Sequence, residues 1–244
     1  RLSTFIIGTE AILRRCRIYM IPLIVLTGPT TSGKSETALE LARKLNTEII
    51  SADSMQVYKY FDIGTAKHST SQRQGIPHHL IDILEPDEEF NAFDFKTKAT
   101  EIIQGLMNQN KIPIVVGGSA LYLKVLIQDY DCAVEISEET RKNIQQEILQ
   151  QGVKQVYKNL QEIDPDFAKN ISETDSLRIE RALGVYRETG KSFSEFHKED
   201  SATNTDFPIH TFILEWNRAE LYEKINQRVD NMIEAGLELS LIHI

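Results

Sequence analysis

Residues 21–45 read IPLIVLTGPTTSGKSETALELARKL, and this stretch decides the fold class. Residues 21–27 form a continuous apolar run, the pattern of a strand buried on both faces. Residues 34–45 place Ala38, Leu41, Ala42 and Leu45 at helical spacing. Between them, Gly28, Pro29, Thr30, Thr31, Ser32, Gly33, Lys34 and Ser35 match the pattern G-x-x-x-x-G-K-[ST]. The match sits between a strand pattern and a helix pattern, the context that a phosphate loop needs. Glycines let backbone N–H groups turn toward phosphate oxygens, and the helix N-terminus adds partial positive charge. Lys34 adds a full charge, and the Ser35 hydroxyl is the candidate ligand for Mg²⁺.

Outward from this loop, strand and helix patterns alternate. TEIISAD (47–53) is a second short apolar run, a helix is expected near 94–109, and IPIVV (112–116) reads as a third buried strand before a helix over Ala120–Ile127. This order predicts an α/β fold: a P-loop NTPase-like parallel sheet flanked by helices. Residues 137–190 show helix patterns alone and read as an all-helical insert. In it Pro165 separates two helices, Ser172 with Asp175 offers a capping box, and Gly190 offers a helix stop. The sheet is expected to resume at 209–215, with a polar loop before it from Lys198 to Pro208 and a helix after it from Arg218 to Ala235. The domain reading is therefore a first part of the core at 20–136, the insert at 137–190, and a return to the core at 191–244.

The ends read differently. Residues 1–19 look like an upstream extension: Gly8 and Glu10 interrupt their apolar part, and Arg14, Arg15 and Arg17 follow it rather than precede it, unlike a signal peptide. The ending LELSLIHI looks unfinished, so a C-terminally incomplete chain is expected.

Composition limits the function classes. The chain has 244 residues, 41% hydrophobic and 26% charged, which excludes wholesale disorder. A net charge of −9 argues against non-specific nucleic-acid binding, so any nucleic-acid surface must be local. Two cysteines, Cys16 and Cys132, cannot build a disulfide framework or a cysteine-based zinc site, and read as inert. No apolar run has the length of a membrane span, and a cytoplasmic monomer without membrane partners is expected.

Two strand ends narrow the chemistry. Enzymes that transfer a γ-phosphoryl group often carry a metal-holding acid at the end of a second buried strand. Here IPIVV ends in Gly117-Gly118-Ser119 instead, which tilts the reading toward a phosphate or diphosphate binder of another kind. Asp53 ends IISAD, and strand C-termini of an open parallel sheet converge on the ligand crevice. It is placed to take a proton or orient an acceptor, or else to cap a turn.

The residues around Asp53 resemble a known family. Asp53-Ser54-Met55-Gln56-Val57-Tyr58, Asp62-Ile63-Gly64-Thr65-Ala66-Lys67, His78-His79-Leu80-Ile81-Asp82 and Gly117-Gly118-Ser119-Ala120-Leu121-Tyr122 are similar to strings of the tRNA dimethylallyltransferases (tRNA isopentenyltransferases). So are Leu177-Arg178-Ile179-Glu180-Arg181-Ala182-Leu183 with Thr189-Gly190-Lys191, and Arg218-Ala219-Glu220-Leu221-Tyr222 with Ile225-Asn226-Gln227-Arg228-Val229. The strings occur in the family's order from about Leu23 to Leu237, and the lack of a C-terminal zinc finger matches the bacterial type.

The resemblance implies transfer of a dimethylallyl group from dimethylallyl diphosphate to N6 of the adenosine just 3′ of certain tRNA anticodons. It implies that the loop, Lys34, Ser35 with Mg²⁺, Ser119 and Arg218 stabilise the leaving diphosphate, and that Asp53 accepts the N6 proton. Ser54, Met55 and Gln56, with Asp53 and Ser119, would hold the flipped base. In the insert, Arg141, Leu177, Arg178, Ile179, Glu180 and Arg181 match strings that touch tRNA, which would make it tRNA-facing. The family usually has Thr at Ser119 and often Arg at Lys224.

The histidine pair and Trp216 read as structural. A small-molecule P-loop kinase is the runner-up reading. A nucleotide-dependent tRNA-binding switch is a third class, but it needs an NTPase apparatus that the sequence does not show.

Overall fold

In the computed structural model, which describes residues 21–128, 134, 136–195 and 207–242, the apolar run at 21–27 becomes β1 (Leu23–Thr27). Leu23, Ile24, Val25 and Leu26 are fully buried, as a two-faced strand requires. The chain continues through α1 (Lys34–Leu45), β2 (Ile49–Ser51), β3 (His78–His79), α2 (Ala92–Asn108), β4 (Ile114–Val116) and α3 (Ala120–Ile127). After the insert come β5 (Ile209–Ile213), α8 (Arg218–Glu234) and α9 (Leu237–Ile242).

The five strands lie in the order β3-β2-β4-β1-β5, and every pairing is parallel. β1 runs beside β4 with Ile24 opposite Ile114, and β2 runs on the other side of β4 with Ile49 opposite the same residue. The chain leaves β1 toward β2, past β4, and leaves β4 toward β5, past β1, so the connections from these adjacent strands run in opposite directions. That is where an open α/β sheet opens a ligand crevice at its C-terminal edge. Ile24 and Leu26 pack against Ala38, Leu41 and Ala42 of α1, with Ile114, Val116 and Phe212 completing the cluster. The stacked rings of Phe95 and Tyr122, 4.5 Å apart, join α2 to α3.

β3 is an addition to the expected elements. Its two histidines are half-buried: His79 Nε2 lies 2.7 Å from Glu48 Oε2, and His78 Nδ1 lies 2.8 Å from the Ile76 carbonyl.

Two compact units emerge, Arg1–Ile127 with Thr205–Ile244, and Gln128–Asn204. The second holds α4 (Glu138–Gln151), α5 (Val153–Ile163), α6 (Pro165–Ala168) and α7 (Ser176–Thr189). Its core is Ile144, Val156, Leu160, Ala168, Ile179, Ala182 and Leu183. Pro165 begins α6, where its missing N–H costs no hydrogen bond. Asp164, 2% exposed, caps α6 through the Phe167 amide and accepts from the Ser194 amide with its other oxygen.

The cap expected at Ser172 belongs to Asp175, whose carboxylate accepts from the Arg178 amide. Ser172 instead closes the preceding turn onto the Thr174 amide. Gly190 stops α7 in the left-handed conformation, as expected. Residues 1–19, Cys16, Cys132 and most of the loop from Lys198 to Pro208 lie outside the described residues. Among the described residues, no helix is long and apolar enough to cross a membrane.

Candidate active site

The loop after β1 is shaped by two glycines. Gly28 has φ 147°, and a Cβ there would lie 2.6 Å from the Leu214 carbonyl oxygen, so the loop leaves the sheet past the end of β5 only with glycine. Gly33 is the left-handed N-cap of α1 (φ 84°) and supplies no side-chain cap. The N–H groups that open α1 are thus available to an anion. The Ser32 hydroxyl is buried with no hydrogen-bond partner among the described residues. Lys34 Nζ donates to the Gly28 and Pro29 carbonyls at 2.9 and 2.6 Å. Burial, and then the neighbouring charge of Arg228, hold its pKa below the ordinary lysine value; Asp53 and Glu36 oppose them.

The facing wall is built where β2 and β4 end. A Cβ on Gly117 would lie 2.0 Å from the Ala52 carbonyl oxygen, so glycine there lets the two strand ends meet. Asp53 follows Ala52. Its Oδ1 accepts from the amides of Met55 and Gln56 at 2.9 and 3.3 Å, which folds residues 53–56 into a turn. Among the described residues Oδ2 accepts no hydrogen bond. The Gln56 carboxamide spans from Ser51 Oγ to the Thr65 carbonyl, 3.3 Å to each. Ser119 Oγ accepts from the Ser54 amide at 3.0 Å and so supports the turn from behind.

The third wall is α8. Trp216, just before it, donates from Nε1 to the Ser32 carbonyl at 2.9 Å, and Lys224 Nζ sits 4.3 Å above its ring centroid. The tryptophan thus braces the phosphate loop, and it also lies on the cavity wall. Arg228 donates from Nη1 to Thr30 Oγ1 at 3.0 Å and from Nη2 to the Thr65 carbonyl at 3.3 Å.

These three walls enclose a cavity of about 1130 Å³, lined by residues 28–35 together with Asp53, Gln56, Lys67, Lys224 and Arg228. Several expected residues are not on that wall. Arg218 turns to its own helix, with Nη2 3.3 Å from the Tyr222 hydroxyl, because it sits in the first turn of α8 while the later turns reach the loop. The guanidinium at the loop is Arg228, which the sequence reading missed. Ser54, Met55 and Ser119 also lie off the wall, beside or behind the turn.

Among the described residues no three His, Cys, Asp or Glu side chains cluster as a metal cage. The Ser35 hydroxyl lies on the cavity wall beside the loop, which fits a mostly hydrated Mg²⁺ that takes further oxygens from a phosphate group.

In the helical unit, Leu177 is 77% exposed and Arg178 pairs with Asp175 at 2.9 Å. Glu180 lies 3.8 Å from Arg141 and 3.1 Å from Gln145, and Arg181 donates to the Val134 carbonyl. Ile179 is fully buried in this unit's core, which corrects its reading as a tRNA contact: α7 points that position inward.

A family model described as IPP transferase matches residues 56–239. The chain belongs to the IPP transferase family. A relative in this family, the tRNA dimethylallyltransferase of Alkaliphilus metalliredigens (strain QYMF), is 46% identical over 216 residues, which are 88% of this chain and 69% of the relative. Among solved structures, the tRNA delta(2)-isopentenylpyrophosphate transferase of Staphylococcus epidermidis is 38% identical, with a TM-score of 0.59 over 91% of this chain and 73% of its own. A eukaryotic dimethylallyltransferase acting on tRNA is 33% identical, with a TM-score of 0.78 over 91% of this chain and 55% of its own. The P-loop NTPase-like sheet is therefore the IPP transferase fold, and the kinase reading is not favoured.

Proposed function

We propose that this chain transfers the dimethylallyl group of dimethylallyl diphosphate to N6 of an adenosine in the anticodon loop of tRNA, next to the anticodon on its 3′ side. The observation that carries the reading is that the phosphate loop and the Asp53 turn open onto one cavity. Diphosphate occupies the loop, held by the α1 amides, Lys34 and the Ser32 hydroxyl, which then gains the acceptor it lacks. Arg228 faces the same loop and offsets the charge that grows on the leaving group. Mg²⁺ at Ser35, when bound, supplies further neutralisation of the diphosphate.

The bond from C1 of the allyl group to the bridging oxygen breaks, and its electron pair leaves with diphosphate. N6 bonds to C1 and passes one proton to Asp53 Oδ2, while Oδ1 stays bound to the turn amides. The adenosine must leave its stack to reach the cavity, which is least costly in a single-stranded loop. Gln56 on the cavity wall contacts the base, and Ser54, Met55 and Ser119 hold the turn.

Incubation with dimethylallyl diphosphate, Mg²⁺ and unmodified tRNA, then nucleoside mass spectrometry, tests the reading. A prenylated adenosine with matching diphosphate release is expected. Phosphoryl transfer from ATP to a small acceptor, without prenylated nucleoside, would overturn it.

A further inference from the structure

We propose that Lys67 is a positioning residue that sets the Asp53–Gln56 turn for the nucleobase, and that it does so without touching the diphosphate. The inference rests on the function proposed above.

The Lys67 side chain is 3% exposed although it lies in the cavity wall. An ammonium group has three protons, and here each has an acceptor: the Tyr58 carbonyl at 2.7 Å, Asp62 Oδ1 at 2.8 Å and Asp82 Oδ1 at 2.6 Å. Lys34 differs, because its partners are two carbonyls of the phosphate loop itself. A phosphate can replace those, whereas Lys67 has no proton left to offer one.

The three acceptors triangulate the turn. Past Asp53, successive carbonyls are each claimed: Met55 by the Tyr58 amide, Gln56 by the Asp82 amide, Val57 by the Ile83 and Leu84 amides, and Tyr58 by Lys67. Lys67 therefore holds the chain two residues after Gln56, and also holds the side chain of Asp82, whose amide fixes the Gln56 carbonyl. Asp82 adopts a left-handed backbone with φ 58°, a region that Asp enters more readily than most residues when its carboxylate is held. Its two carboxylate oxygens are enforced separately, Oδ1 by Lys67 and Oδ2 by Arg73 at 3.1 Å. Asp62 closes the third side from the segment that leads to Thr65, whose carbonyl receives Gln56 Nε2.

The test uses Lys67→Met and Asp62→Ala. Lys67→Met keeps the length of the stem. It leaves Asp82 with Arg73, and it leaves Asp62 largely solvated at 65% side-chain exposure, so the fold has an outlet for both carboxylates. Affinity for inorganic diphosphate, read by calorimetry, should stay within about twofold of the parent in either variant. Turnover of an anticodon stem-loop with saturating dimethylallyl diphosphate should fall on the order of 10²-fold in Lys67→Met, the scale of a misplaced reacting group. Asp62→Ala should show a smaller loss of the same kind. Lys67→Arg should not rescue turnover, because a planar fork cannot meet three converging acceptors.

Amide exchange, read without substrate, should quicken over residues 53–65 in Lys67→Met and stay unchanged over 28–38. This arm stands even if the parent prenylates nothing, so failure of the functional reading and failure of this inference remain distinguishable. Diphosphate affinity that falls in step with turnover would overturn the inference. So would a loss of turnover that only tracks the folded fraction, unchanged exchange at 53–65, or full activity in Lys67→Met.

Discussion

Replacing Asp53 by Asn separates its two roles. Oδ1 caps the turn through the Met55 and Gln56 amides, and Oδ2 is the proposed proton acceptor. An amide side chain keeps a carbonyl oxygen for the cap and removes the base. Asp53→Asn should therefore keep the turn and lose only general-base catalysis, about 10²–10⁴-fold in the single-turnover rate with both substrates saturating. That corresponds to about 2.7–5.4 kcal/mol of lost transition-state stabilisation at roughly 1.36 kcal/mol per decade. Asp53→Ala should lose the same and also release two amides. Their bonds lie in an exposed turn where water can replace the acceptor, so the extra cost is about 1 kcal/mol. Both variants should bind inorganic diphosphate like the parent. An Asp53→Asn rate within a few-fold of the parent, with Asp53→Ala slow, would show that the cap alone matters and refute the base assignment.

Lys34 should give diphosphate binding an alkaline limb below the ordinary lysine value of 10.5, since burial and Arg228 lower its pKa and the free enzyme loses that charge as pH rises through it. Arg228→Met should move the limb to higher pH in titration calorimetry while weakening binding; an unmoved limb would contradict the charge coupling. Trp216→Phe removes the bond to the Ser32 carbonyl and should weaken diphosphate binding by about 1 kcal/mol, roughly fivefold. Asp164→Ala leaves two part-buried amides of the helical unit without their acceptor, at about 1 kcal/mol each, and should lower its urea midpoint while diphosphate affinity stays unchanged.

The sequence was most legible where a local rule acts alone. The helix over 34–45 follows from its apolar spacing and the loop before it, and its bounds are those expected. The parallel sheet follows from apolar runs alternating with helices. β3 was not legible, because two half-buried histidines carry neither alternation nor an apolar run. The cap of α7 was misassigned because Ser172 and Asp175 both suit an N-cap, and only the turn at Thr174 decides between them.

At the site, the loop and Asp53 were legible because motif and strand end fix their place. Arg218 against Arg228 was not. Ten residues along α8 separate them by about 15 Å, and the sequence does not say which turn of the helix reaches the loop. The Lys67 cluster was also hidden, since its acceptors come from positions 58, 62 and 82 and meet only after folding.

The proposed reaction requires one cavity to bring C1 of the donor, released at the phosphate loop, to N6 of an adenosine held at the Asp53 turn. The most direct measurement is nuclear magnetic resonance of the product formed from dimethylallyl diphosphate isotopically labelled at C1 and an anticodon stem-loop labelled at adenosine N6. A one-bond carbon–nitrogen coupling is expected in the parent product, with its near absence, over the same time, with Asp53→Asn. Product without that coupling, or equal coupling with Asp53→Asn, would contradict it.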